Sequence, residues 1–148
     1  YKLLGYCTID NEIINVTIGG VGDIFRYSIN DNLLQINNKL KIFADNIIKD
    51  LLRLLNYGSI DIKYKASIID ALNDVIICGY NRYTNDILKH SLNIGLLNNA
   101  DGINNVRISV IYTCRSVISQ YGNINKSDLI YNYFNDIGRL IDIGIKQK

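Results

Sequence analysis

The sequence predicts a mainly α-helical fold, a compact bundle of about five helices around a central apolar helix, preceded by a short β-rich segment. Three observations support this fold class. Apolar residues alternate with polar ones within 1–29, whereas over 33–145 they recur at steps of three and four. The segment 104–121 is apolar on several sides, as a central helix would be. No linker or internal repeat is visible, so 1–148 is predicted to be a single domain.

The first segment, 1–29, is predicted to contain strands joined by turns. Two short runs in it place β-branched and aromatic residues at every second position, which is typical of strands. The Gly19-Gly20-Val21-Gly22 run between them is interpreted as a hairpin turn, because it lacks the lysine and the spacing of a phosphate-binding P-loop. The alternating residues are Ile14, Val16 and Ile18, followed by Phe25, Tyr27 and Ile29.

A long amphipathic helix is predicted to span 33–55 without a break. Its apolar residues fall on one face at helical spacing. Asn30 or Asp31 is expected to cap its start, and Gly58 lies just beyond its end. The residues of this apolar stripe are Leu33, Ile36, Leu40, Phe43, Ile47, Leu51 and Leu54.

Two shorter helices are predicted next, at 66–78 and about 85–97. Gly79 is expected to stop the first of them, and Thr84 is expected to cap the second. A polar cluster at 98–102 then forms a loop. The inward residues of the first helix are predicted to be Ile69, Leu72, Val75 and Ile76.

The last two predicted helices contain the most apolar segments of the chain. The helix at 104–121 is expected to be the most buried element, because apolar residues occupy more than one of its faces. Asn125 or Ser127 is expected to cap the final amphipathic helix. The apolar residues of that helix are Leu129, Ile130, Tyr133, Phe134, Ile137, Leu140 and Ile141.

Composition argues against several classes of protein. Hydrophobic residues make up 48% and charged residues 20%, which is typical of a globular domain and not of a disordered one. The net charge of +2 comes from scattered Lys and Arg, so nucleic-acid binding is not expected. No apolar stretch approaches the roughly 20 residues of a membrane span. A signal peptide is not visible, though a trimmed start would hide one, and a cytoplasmic location is expected.

Cysteine and histidine usage gives no sign of a metal or a cofactor. Cys7, Cys78 and Cys114 are far apart in sequence, so we expect free thiols and neither a zinc site nor a disulfide framework. His90 is the single histidine and is interpreted as structural. The alternative makes it a haem ligand on a helix, as in globins, with Phe43 packing on the ring.

Carboxylates do not form a recognisable catalytic set. Asp61, Asp70 and Asp74 are close in sequence, and the last two are one helical turn apart. A general acid–base pair also needs a desolvated pocket that separates its two pKa values. No catalytic residues are therefore predicted, and the protein is not expected to be an enzyme.

The start of the predicted central helix resembles a known family. It reads Asn104-Asn105-Val106-Arg107-Ile108-Ser109-Val110-Ile111 and continues to Ser116-Val117-Ile118 and Tyr121-Gly122. A short polar turn, a basic residue, and then small and aliphatic residues resemble the opening of the central helix of poxvirus Bcl-like proteins. The resemblance covers 34–145 and is specific only in 104–122. The Asn-Trp-Gly-Arg signature of cellular members is absent, and the β-like start is atypical.

This resemblance implies a protein-interaction module. Bcl-like bundles offer an apolar groove to an amphipathic helix of a host protein and so inhibit apoptosis or innate signalling. Carried over, Arg107 would pair with an acidic ligand residue at the groove rim. Its alternative is a solvated charge in the first turn of a helix. The groove-wall candidates are Val75, Ile76, Ile108 and Ile111.

Other hypotheses remain open at this point. The groove could be closed, with outer faces binding innate-signalling proteins, and a homodimer is compatible with the sequence. The chain also resembles phycobiliproteins at 22–33 and in Tyr131-Asn132-Tyr133-Phe134-Asn135-Asp136, although the bilin-attachment cysteine would fall near Asp61. A tetrapyrrole carrier or a structural subunit of an assembly is therefore the alternative function.

Overall fold

The computed structural model describes residues 11–58, 60–97, 100–121 and 127–146, and their regular structure is entirely helical. A π-helical turn, Ile24–Ser28, follows the first α-helix, and a 3-10 turn, Asn81–Tyr83, precedes the fifth. The prediction of a mainly α-helical bundle is confirmed. The α-helices are α1 Asn11–Asp23, α2 Asp31–Ile36, α3 Asn38–Leu55, α4 Ile62–Ile77, α5 Thr84–Gly95, α6 Ile103–Tyr121 and α7 Ser127–Lys146.

The predicted strands are wrong where the structure describes them, because 11–28 is α1 followed by the π-helical turn. Ile18 and Phe25 are fully buried, whereas Val16 is 79% exposed and Tyr27 is 76% exposed. Residues two apart thus face opposite ways, as on a helix. The period-two pattern was misleading because burial against a neighbouring helix outweighs β-propensity. The part of this prediction that falls on 1–10 lies outside the described residues.

The glycine run is not a hairpin turn but part of α1. Gly22 lies directly against α4: a Cβ at this position would be 3.3 Å from the Ala71 Cα and 2.7 Å from Asp74 Oδ2. A side chain there would separate the two helices. Gly22 therefore permits close packing of α1 on α4, whereas a Cβ at Gly19 or Gly20 would meet no atom within 4 Å.

The predicted unbroken helix at 33–55 is interrupted at Asn37, which separates α2 from α3. Asn37 has extended backbone angles (φ −118°, ψ 97°), and its side chain accepts a hydrogen bond from the Leu40 backbone N–H at 3.0 Å. Asn30 caps α2 in the same way through Leu33 N–H at 2.8 Å, as predicted. The break changes which residues of the segment face the bundle. Ile36, which belongs to the apolar stripe of the predicted helix, is therefore 83% exposed.

The other predicted helices are present. Gly79 and Gly102 both have positive φ, 92° and 83°, in the turns that follow α4 and precede α6. Thr84 is the first residue of α5 and not its cap; the capping position is Tyr83, which makes no side-chain capping bond. The residues proposed to cap the last helix are Asn125 and Ser127, and their side chains lie outside the part of the chain that the structure describes.

The central helix is α4, not α6. Helix α4 packs against α1, the π-helical turn, α3, α5 and α6. Helix α6 buries one face, with Val106, Val110 and Val117, against the bundle. A second apolar face of α6 is only partly covered by α7, and the two helices form the surface described next.

Candidate functional site

An open apolar groove lies between α6 and α7. Two adjoining cavities of about 240 and 290 Å³ form it, and both are lined by Ile111 and Leu140. Since these residues line both cavities, the cavities lie next to each other along the two helices. Its further lining residues are Asn104, Arg107, Ile108, Cys114, Arg115, Ile118 and Ser119 from α6, and Ile137, Ile141 and Gly144 from α7.

The composition of the two helices explains why the groove stays open. In α6, Ile111 and Ile118 are seven residues apart and so lie on one face, away from the valines that face the core. They are 42% and 46% exposed. Leu140 is a fully buried contact of α7 with the bundle, while Ile141 beside it remains 50% exposed. Gly144 adds no side chain that could fill the space.

Arg107 lies at one end of the groove but not as an exposed rim charge. Its side chain is buried, and Nε donates to the Gly95 carbonyl at 3.0 Å while Nη2 donates to the Leu97 carbonyl at 2.9 Å. Gly95 is the last residue of α5, where backbone acceptors lack partners within the helix, and Leu97 lies two residues beyond it. The predicted rim residue is therefore a capping residue that joins α6 to α5. The solvated-charge alternative is also wrong.

The structure brings together only some of the predicted groove-wall residues. Ile108 and Ile111 line the groove, with Ile108 52% exposed. Val75 and Ile76 are fully buried in α4, so a ligand could not reach them without opening the core. They therefore face inward, as predicted, and line neither cavity of the groove.

Sequence reasoning missed the α7 wall and the charged edge of the groove. Ile137, Leu140 and Ile141 were predicted only as apolar residues of the final amphipathic helix, and of these three Leu140 alone is fully buried. Arg115 and Ser119 line both the groove and a neighbouring polar cleft, and so form the ridge between them. The sequence could have indicated Arg115 as a second candidate for the charged edge, because Arg107 and Arg115 are the charged residues of 103–121.

The polar cleft, of about 620 Å³, lies between α4, α6 and the π-helical turn. Its centre is an ion pair of 3.0 Å between Arg26 Nε and Asp74 Oδ1. Burial raises the pKa of Asp74, and Arg26 opposes that shift. Asp70 lines the same cleft, as the spacing of the two carboxylates predicted. The Arg26–Asp74 pair joins the π-helical turn to α4, which gives Asp74 a structural role.

His90 connects two helices. Its Nδ1 lies 3.2 Å from Asn56 Nδ2, at the end of α3. This hydrogen bond joins α5 to the end of α3. The histidine lines none of the three cavities described here.

The described thiols are structural. Cys78 Sγ donates to the Val75 carbonyl, and Cys114 is buried beneath the groove, where burial raises the pKa of its thiol to about 12. Both cysteines are free, as predicted, while Cys7 lies outside the described residues. Within the described part of the chain, His, Cys, Asp and Glu form no group of three that could hold a metal ion.

No protein-family model, curated protein or solved structure matches this chain. Among the helices described, none combines the length and apolar character that crossing a bilayer requires.

Proposed function

We propose that this chain is a protein-interaction module that binds an amphipathic helix of a partner protein in the groove between α6 and α7. The observation that carries the proposal is the exposure of Ile108, Ile111, Ile118 and Ile141 around two adjoining depressions. Large contiguous apolar surfaces on soluble domains mark binding sites. An amphipathic helix offers the complementary surface without unsatisfied backbone groups.

The spacing of the groove residues suits a helical ligand. Ile111 and Ile118 are two helical turns apart, which corresponds to about 10 Å along the axis. A ligand helix lying along α6 would present apolar side chains at i, i+3 or i+4, and i+7 over the same length. The apolar anchors of the ligand would thus meet the wall residues in register.

The charged edge suggests the polar flank of the ligand. Arg115 lies on the ridge between the groove and the polar cleft, and no ion pair given by the described residues includes it. An acidic residue on the flank of a bound helix would form a charge-assisted hydrogen bond with this guanidinium. Arg115 therefore takes over the role that the sequence suggested for Arg107.

The resemblance of 104–122 to poxvirus Bcl-like proteins suggests which kind of partner protein supplies the helix. We propose that the ligand is a helix of a host death-regulating or innate-signalling protein, and that binding inhibits that protein inside the cell. The groove geometry supports helix binding in general. The choice of partner rests on the resemblance.

Calorimetric titration with a panel of amphipathic peptides of about 20 residues tests the binding function. We expect at least one peptide to bind, and Ile111→Glu to weaken it about tenfold or more by placing a charge on the groove wall. The matched control is Ile36→Glu on α2, where the parent side chain is 83% exposed and distant in sequence from the groove. No binding across the panel by the folded protein, or equal losses in both variants, would remove the proposal.

A further inference from the structure

We propose that the polar cleft between α4, α6 and the π-helical turn binds a small linear zwitterion, namely a short peptide with free ends. Its ammonium end would contact Asp70 on α4, and its carboxylate end would contact Arg115 on α6. The cleft lies across the Arg115 ridge from the apolar groove, and this inference does not depend on helix binding in that groove.

The cleft has the size and the lining of a site for a small polar molecule. Its volume of about 620 Å³ falls within the range of ligand sites, roughly 300–1,000 Å³. Among the described residues that line it, only Ile77 has an apolar side chain. Gln120 Nε2 donates to the Ile77 carbonyl at 3.2 Å and so joins the last turns of α4 and α6 at one end of the cleft. Polar groups of a ligand would therefore meet polar side chains on both walls.

Two opposite charges face each other across this cleft without pairing. Asp70 and Arg115 are exposed and line the cleft, and no ion pair in the described part of the chain includes either residue. Arg26 and Asp74, by contrast, already neutralise each other at 3.0 Å. The remaining charge is thus negative on the α4 wall and positive on the α6 wall. A ligand with one cationic and one anionic end matches both walls.

Uncharged polar groups beside each charge add partners for the two ends of the ligand. Tyr112 and Ser119 lie one turn before and one turn after Arg115, line the cleft and supply hydroxyl donors for a carboxylate. Asn73, one turn after Asp70, has its Oδ1 buried without a hydrogen-bond partner among the described residues. Buried acceptors are usually satisfied, and an ammonium bound beside Asp70 is a donor of the kind that this acceptor lacks.

The distance between the walls sets the length of the ligand. Helices α4 and α6 pack against each other, and the axes of packed helices lie about 8–10 Å apart. An extended peptide advances about 3.3–3.6 Å per residue, so about two or three residues carry its two charged ends to opposite walls. A single amino acid, whose charges lie on one carbon, is too short to contact both.

NMR titration of the ¹⁵N-labelled full chain with glycine, diglycine and triglycine, each to about 20 mM at constant ionic strength, tests the site. We expect amide resonances of 70–77 and 112–120 to shift with diglycine or triglycine and to shift much less with glycine. N-acetyltriglycine and triglycine amide should each bind about tenfold more weakly than triglycine, because each lacks one of the two charges. No shift with any of the three probes, or equal binding by the blocked peptides, would overturn the inference.

Two variants test which end of the ligand each wall contacts. Arg115→Gln should bind triglycine about tenfold more weakly than the parent does, and no better than it binds triglycine amide, because the contact with the carboxylate is lost. Asp70→Asn should likewise bind triglycine no better than N-acetyltriglycine. The matched control is Arg139→Gln, since Arg139 is 66% exposed and lines neither the cleft nor the groove. Variants that keep the parent's preference for free ends, or an equal loss in the control, would refute the assignment.

The probes separate this inference from the helix-binding function. Oligoglycines carry no apolar side chains with which to fill the groove, and Asp70 and Arg115 are exposed, so circular dichroism of their variants should match that of the parent. Binding of an amphipathic helix without any binding of oligoglycine would overturn the cleft inference and leave the helix-binding function. Binding of oligoglycine without any binding of a helix would do the reverse.

Discussion

Arg107 on α6 holds the last carbonyl of α5, that of Gly95, through a hydrogen bond of 3.0 Å from its Nε. The same guanidinium also reaches the Leu97 carbonyl. A residue that resemblance assigned to ligand recognition therefore acts inside the fold. Its replacement should change stability first, and this distinguishes it from Arg115, which is exposed.

Arg107→Ala should lower the free energy of unfolding by about 2–4 kcal/mol, because it leaves buried carbonyls without donors. Urea denaturation followed by circular dichroism would measure this loss. Arg115→Ala is the matched control and should change stability by less than about 0.5 kcal/mol. Unchanged stability in Arg107→Ala would show that the capping contacts contribute little.

Gly22→Ala should destabilise the protein by about 1–3 kcal/mol, because the new methyl group would push α1 away from the Ala71 backbone. Gly19→Ala in the same helix would place its methyl group where no other atom lies within 4 Å, and it should stabilise by about 0.5–1 kcal/mol through helix propensity. Thermal melting of the two variants gives the comparison. Equal effects of the two changes would contradict the close approach of α1 to α4.

Val110→Asp should cost several kcal/mol, because Val110 is fully buried on the core side of α6 and the new carboxylate would have no partner. The matched change on the groove side, Ile108→Asp, alters a residue that is 52% exposed and should be tolerated within about 1 kcal/mol. Chemical denaturation measures both. A parent-like Val110→Asp protein would mean that the two faces of α6 are assigned the wrong way round.

Tyr80 should make stability fall at alkaline pH. Burial and the hydrogen bond donated to the Asp45 carboxylate raise the pKa of Tyr80 from 10.0 to about 12. Because the folded state holds this proton more tightly than the unfolded state, the stabilisation is complete below pH 10 and is lost as pH rises from 10 towards 12. Denaturation at pH 9 and pH 11 should show a smaller loss in Tyr80→Phe, and equal losses would argue against this coupling.

Arg82 completes the cluster around Asp45. Its Nη1 lies 2.9 Å from Asp45 Oδ2, and its guanidinium carbon is 5.7 Å from the centre of the Tyr83 ring. The Asp45 contact joins the 3-10 turn to α3, whereas the Tyr83 contact lies within the turn. The alkaline transition of Tyr80 therefore reports on how the turn before α5 is attached to the bundle.

The sequence by itself determined the helical class and most helix positions, because apolar spacing and capping residues are local signals. Asn30 and Gly79 could be assigned from chemistry alone, as a side-chain acceptor for the first helical turn and a residue tolerant of positive φ. The break at Asn37 was also indicated by the sequence, because asparagine is a common helix-capping residue. The long apolar stripe across it obscured that signal.

Only the tertiary structure decided what each apolar face contacts. Ile18 and Val16 are similar β-branched side chains in one segment, yet packing of α1 against α4 buries the first and exposes the second. Apolar residues on several sides of α6 predicted that it would be the most buried element, but α7 covers just part of its second apolar face, and the uncovered part forms the groove. Arg107 and Arg115 likewise look equivalent in sequence. The carbonyls at the end of α5 bind one guanidinium and leave the other at the edge of that groove, because hydrogen-bond partners far apart in the chain meet only on folding.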